Sequence, residues 1–379
     1  MHRFPLLKLP SLVLEIVLKS LNIEDVIDLS MMSSRFKRIL ESHKIPIYQF
    51  HVYHNVGYTG VCLGVESNPH WPIEARPFMD IISYYPANPY EVENGWKIRR
   101  INGEDVMCQQ TKYGSCTFFE RHLKARNKTN EAKDELLEQI CTHLLSFMNV
   151  QNFRVSCRRE MDFSNMFIWK FTRNLERLEV SPLDGLKIQV TPNDLKFILE
   201  EVKSQQLFLN IQCPNVKYTP PLDHKEIEIY YPSWLDFKNI SIDPETTHMQ
   251  FKMNDEVSES DINRLIKQWM EGKCEKLKFL AFSESTYGGG GGKRTEHFEK
   301  LQMEKILDGL DKVDTDYTPR QFEQRGMILH WKHRSCQVVK CKNPEILGAV
   351  IKWNYSCIGL HTWNEVEVRN QEEREQINN

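Results

Sequence analysis

Leu9-Pro10-Ser11-Leu12-Val13-Leu14-Glu15-Ile16-Val17-Leu18-Lys19-Ser20-Leu21 opens a stretch that runs through Asn22-Ile23-Glu24-Asp25-Val26 to Phe36-Lys37-Arg38-Ile39-Leu40. Of the 32 residues from Leu9 to Leu40, 17 are apolar, against 40% for the chain of 379. The spacing predicts three short helices. Pro10 suits a first helical turn, where its missing N–H is no loss. Val13, Ile16, Val17 and Leu21 follow at helical intervals. Asn22 and Asp25 form a cap for a second helix carrying Val26, Leu29 and Met32. Ser33 or Ser34 caps a third, with Phe36, Ile39 and Leu40 inward. A unit of about 40 residues buries too little surface to stand alone. Helices apolar on more than one face need a second surface to cover them, so the stretch reads as a docking element.

Leu9-Pro10, Leu21, the Val26/Leu29 pair and Ser34-Arg35-Phe36 resemble the F-box, over about residues 4–45. Leu12 departs from the pattern, since many F-boxes carry an acidic residue there. The resemblance implies a three-helix unit that binds a Skp-family adaptor and, through it, the cullin scaffold of a ubiquitin ligase. On that reading Leu9, Pro10, Val13, Leu14, Val17, Leu21, Val26, Leu29 and Phe36 meet the adaptor. The plainer alternative is a helical cap packed on the body of the same protein.

The remaining length suffices for a large core and more than one domain. With 49 basic and 52 acidic residues and a formal charge of −3, the chain offers no net field for nucleic acid or an anionic membrane. No apolar run approaches the length of a membrane span, and Lys8, Pro10, Glu15 and Lys19 interrupt the early one, against a signal peptide. Ten cysteines without a framework then read as reduced thiols of an intracellular protein, in cytoplasm or nucleus. The sequons at Asn127, Asn239 and Asn354 carry no weight in such a protein.

Downstream, the fold class expected is α/β (α+β). Residues 1–46 form the helical unit, 47–129 a strand-rich connection, 130–363 a repeat-like αβ domain and 364–379 a flexible tail. Tyr48–Tyr53, Gly57–Val65, Trp96–Ile101 and Cys116–Phe119 read as strands between prolines. Arg121–Lys133 reads as a helix end and loop. Thr191-Pro192-Asn193-Asp194 starts a helix carrying Leu195, Ile198, Leu199 and Val202, followed by the strand Leu207, Leu209, Ile211. Ser258-Glu259-Ser260-Asp261 repeats that grammar with Ile262, Leu265, Ile266 and Trp269. Gly272 stops the second helix, and a strand follows at Leu277–Phe282. Looser copies run from Glu131 to Val155 and from Phe298 towards Met327–Trp331. Leu175-Glu-Arg-Leu178-Glu-Val180 and Leu277–Phe282 carry a leucine-rich-repeat spelling. Stacked helix–strand units of this kind share one core; the alternative is an ordinary α/β domain with two similar helices.

Trp234-Leu-Asp-Phe237, Asp261-Ile-Asn263-Arg-Leu265-Ile-Lys-Gln-Trp269-Met-Glu-Gly272 and Lys276-Leu-Lys-Phe-Leu280 resemble the F-box-associated type 2 domain, found downstream of an F-box in an expanded nematode family. Together the two resemblances imply a substrate receptor that holds a protein target and performs no catalysis. A protein-interaction scaffold outside any ligase is the alternative. Gly288–Gly292 before Lys293-Arg294 is not a phosphate loop, because Tyr287 and Arg294 stand where Gly and Ser or Thr belong. It reads as a flexible surface loop. His330, His333, Cys336 and Cys341, with Cys357 and His361, are zinc-type residues in a spacing that forms no tight ligand pairs. No metal, cofactor or catalytic residue is expected, and the target and its binding residues are not legible.

Overall fold

The computed structural model of the chain describes residues 10–21, 23–55, 59–64, 78–83, 97–101, 104–110, 116–121, 130–182, 188–219, 222–253, 257–284, 297–314, 334–353, 357–366 and 368. Helices and strands are mixed, strands predominating. Two compact units emerge: residues 1–159 with 167–176, and residues 160–166 with 177–379.

The first unit begins with α1 (Ser11–Ser20), α2 (Ile23–Met32) and α3 (Ser34–His43). Pro10 lies one position earlier than its sequence suggests. It is the N-cap, with ψ of 147°, and its carbonyl accepts the first helical bond from Leu14 N at 2.9 Å. Ser33 caps α3, accepting from Phe36 N at 3.2 Å. Leu14, Leu18, Val26, Ile27, Met31, Phe36 and Leu40 are buried. Leu9 and Asn22 lie outside the described residues.

Lys44 turns the chain out of α3 with φ of 47°. Then come β1 (Ile45–His54), β2 (Thr59–Gly64), β3 (Phe78–Ser83), β4 (Lys97–Ile101), β5 (Glu104–Gln110), β6 (Cys116–Arg121), α4 (Asn130–Leu145) and β7 (Met148–Cys157). The sheet order is β7-β1-β2-β3-β6-β5-β4, with β7/β1 and β3/β6 parallel and the other neighbours antiparallel. The division expected near residue 130 falls inside this unit. The cause is that β7 pairs along the whole of β1, Ile45 with Met148 through His54 with Cys157. The α4–β7 copy of the repeat grammar is therefore part of the first unit's sheet. β3 and β5 have no counterpart in the sequence reading; Glu104-Asp-Val-Met-Cys-Gln-Gln110 is too polar to show strand alternation.

The second unit holds β8 (Asn174–Val180, its first residues in the first unit), β9 (Ile188–Gln189), α5 (Pro192–Lys196), β10 (Lys203–Gln212), β11 (Glu226–Tyr230), β12 (His248–Met253), α6 (Glu259–Met270) and β13 (Phe279–Glu284). After α7 (His297–Lys300), α8 (Met303–Ile306) and β14 (Lys312–Val313) come β15 (Arg334–Lys340), β16 (Ile346–Trp353) and β17 (Cys357–Asn364). β9, β10, β11, β12 and β13 lie parallel in that order. β17, β16, β15 and β14 then continue the sheet antiparallel.

Two of the parallel crossovers are helical, as their caps dictate. Thr191 accepts from Asp194 N at 3.1 Å, and Ser258 with Asp261 forms a reciprocal capping box. After α5 the helix widens into a π turn over Phe197–Glu201, so Val202 is an extended C-cap residue, although fully buried. Among their described residues the crossovers at 213–225 and 231–247 are irregular, joined by parallel bridges at Tyr218/Leu235 and Leu222/Ile242. The sheet face beneath these crossovers is apolar: Leu207, Leu209, Ile227, Ile229, Met249, Phe251, Leu280 and Phe282 are all buried. Within the stretch expected as a flexible tail from residue 364, Glu365 is buried and accepts from Trp363 Nε1 at 2.6 Å; residues 367 and 369–379 lie outside the described residues.

Candidate functional site

Five large apolar side chains stand out as exposed among the described residues, and three of them, Val13, Ile16 and Met32, belong to α1 and α2. Val13 and Ile16 follow Pro10 at intervals of three along α1, so they share a stripe. Leu14 and Leu18 occupy the buried side of the same helix. Ile16 and Met32 are 61% and 66% exposed, which leaves about 25 cal/mol of unrealised burial per Å² of that surface. The adaptor-contact set that the resemblance implies includes neither of these two. Of its members, Pro10 and Val13 are exposed, Val17, Leu21 and Leu29 are half-buried, and Leu14, Val26 and Phe36 are buried.

This face is held by the body of the first unit. Lys44 Nζ donates to Ser146 O at 2.6 Å, and Ile45 N to Phe147 O at 2.8 Å, across the α4–β7 turn. Inside, Ser30 Oγ donates to Ile27 O at 2.6 Å and lies 2.9 Å from His143 Nε2 on α4. With the hydroxyl proton committed to Ile27, His143 Nε2 must carry the proton and donate. Burial, with Lys37 nearby, pushes the His143 pKa down from 6.5 to about 4. The ring is therefore neutral when folded but charges near pH 6.5 when unfolded. Its contribution is complete above pH 6.5 and is lost as pH falls towards 4, up to about 3 kcal/mol. Hydrogen exchange of the α2 amides, corrected for intrinsic rate, should show lower protection at pH 5 than at pH 7. His143→Gln should flatten that difference, and an equal difference in both proteins would refute the assignment.

In the second unit, the Asp261–Gly272 stretch is spent on structure. Asp261 closes the capping box and Ile262 enters the core. Asn263 Nδ2 donates to Ile306 O and Asp308 O at 2.7 and 2.9 Å, fixing α8 and its end. Arg264 donates to Ile240 O at 2.6 Å and to Phe237 O, while Gln268 Nε2 donates to Ile240 O at 2.9 Å. These bonds satisfy the carbonyls of the irregular crossover. Phe237 stacks edge-on against Phe251 at 5.2 Å, and Trp234 is fully buried. Gly272 ends α6 at φ +77°, where a side chain would be strained.

An F-box domain model matches residues 6–48, and an F-box associated model matches residues 220–282. The chain is an F-box protein with an F-box associated domain. The F-box match takes in α1, α2 and α3 together with their exposed stripe. The associated match runs from within the first irregular crossover into β13, so it contains α6 and all three stretches that carry the resemblance. No curated protein and no solved structure matches the chain.

His330 and His333 lie outside the described residues, as do Met327–Trp331 and the glycine run. Among the described residues, no group of three or more His, Cys, Asp or Glu is placed to hold a metal ion. Burial raises the Cys141 thiol pKa and pushes that of Cys274 up to about 12, so neither is a thiolate at neutral pH. Among the same residues no helix is long and apolar enough to cross a membrane.

Proposed function

We propose that this F-box protein is a substrate-receptor subunit of a cullin-based ubiquitin ligase. The F-box docks on a Skp-family adaptor, and the second unit holds a protein target. F-box proteins with associated domains are typically adaptors, so this chain's task is positioning while other subunits transfer ubiquitin. An intracellular location, cytoplasmic or nuclear, follows from that role. The observation that carries the reading is the exposed Val13, Ile16 and Met32 surface within the F-box match. Pro10 completes the stripe, with Val17, Leu21 and Leu29 at its margin; Leu14, Val26 and Phe36 hold it from behind. Leu9 belongs to the same adaptor-binding set. In the second unit, successive parallel strands with stacked crossovers act as repeat-like units that present one broad sheet face.

The double variant Ile16→Asp/Met32→Asp changes only exposed positions, so the fold should persist. Each apolar anchor lost from an interface costs about 2 kcal/mol or more. Capture of a purified Skp-family adaptor should therefore fall at least about hundredfold. Undiminished capture by the folded variant would sink the docking face, and no capture by the parent would favour a scaffold outside any ligase.

A further inference from the structure

The helices and crossovers cover one face of the parallel strands, and the other face is open in a regular grid. Cross-strand register aligns Gln206, Glu226, His248 and Phe279 in one row. Phe208, Glu228, Gln250 and Ala281 form the next. The first row, with Phe208, Glu228 and Gln250 of the second and Arg177, lines a depression of about 320 Å³ contained wholly in the second unit.

Its charges are paired with one exception. Lys252 Nζ lies 2.6 Å from Glu228 and 4.3 Å above the Tyr230 ring. Arg177 bonds Glu179 at 3.1 Å and lies 6.0 Å from the Phe208 ring centre. Glu226 accepts only from a neutral amide, Gln206 Nε2 at 2.9 Å, and no Lys or Arg pairs with it among the described residues. Lys225 and Lys278, whose charges reach His248 in the same row, have the opposite strand parity to Glu226 and Phe279. His248, aligned with Glu226 on β12, feels its charge, but burial lowers the His248 pKa and leaves that ring neutral at pH 7. Among the described residues Glu226 thus has no charged partner, in a recess whose flanking strands carry aromatic rings. A cation placed there gains the charge-assisted bond and the ring faces together.

We propose that this open face takes an extended segment of a target protein and seats a lysine or arginine side chain on Glu226, between Phe208 and Phe279. The assignment rests on the reading that the second unit holds the target. The test uses the full chain and three dye-labelled peptides, identical apart from a central arginine, citrulline or glutamate, measured by fluorescence anisotropy. The arginine peptide should bind about tenfold or more tighter than the citrulline peptide, and Glu226→Gln should remove that preference while leaving adaptor capture unchanged. Equal binding of arginine and citrulline by the parent, tighter binding of glutamate, or a preference that survives Glu226→Gln each overturns the proposal. A chain that fails to bind adaptor yet keeps the arginine preference would overturn only the ligase reading.

Discussion

Trp269→Ala is expected to destabilise the second unit by roughly 3–5 kcal/mol, the usual cost of emptying a large buried aromatic site. Trp269 is fully buried at the end of α6. Its ring fills the space above Gly348 on β16, where an added Cβ would lie 2.8 Å from Trp269 Cη2 and 2.8 Å from Leu360 Cδ1. The indole thus joins the helix of the parallel half to the antiparallel strands. Gly348→Ala should be harmful in the parent for the opposite reason, overpacking, at about 1–3 kcal/mol. In the Trp269→Ala background the same change should cost much less, because the added methyl enters the cavity. Urea denaturation of the four proteins in the cycle measures the coupling. Additive effects would show that the two residues do not share one packing site.

The second large effect is expected at Asp134 on α4. Its carboxylate accepts from Arg159 at 2.6 and 2.7 Å and from His54 Nδ1 at 3.0 Å. His54 is fully buried, and Arg159 nearly so. Asp134→Ala leaves both without their acceptor, a loss of roughly 2–4 kcal/mol. Burial by itself would raise the Asp134 pKa, but His54 and Arg159 outweigh it and hold the carboxyl below its ordinary 3.8. The stabilisation is therefore present above about pH 4 and is lost as acid protonates the group below its usual range. Asp134→Asn should remove this acid-dependent part while costing less at neutral pH. If thermal unfolding of Asp134→Ala matches the parent at pH 7, the network does not hold α4 to β1 and the residues after β7.

How much of this was legible depended on whether the signal was local. The α6 helix was: a Ser258/Asp261 cap, apolar residues at fixed offsets and a terminating glycine act within a few residues of one another. The first sheet was not, because β1 and β7 are separated by about a hundred residues and no local pattern encodes parallel pairing. On α1 and α2, spacing marked the apolar positions but not which apolar side looks outward. Both sides are apolar, so the exposed Ile16 and Met32 were not separated from the buried Leu14 and Val26. On β10 the parity read from Leu207, Leu209 and Ile211 was the core parity. Its complement, Gln206 and Phe208, forms part of the recess, but its importance appears only when β11, β12 and β13 bring their own residues into register.

The parallel pairing of β1 with β7 also sets an order of events during synthesis. The F-box is the first described segment to leave the ribosome, yet its anchors at Ser146, Phe147 and His143 are made about a hundred residues later. Translation at ~5–20 residues per second puts a delay of several seconds between the emergence of α1 and the arrival of the strand that secures it. During that interval an apolar segment is exposed before its supporting surface exists. The nascent chain must therefore pass through a stage in which its docking helices are available to chaperones, or to an adaptor, before the rest of the first unit can hold them.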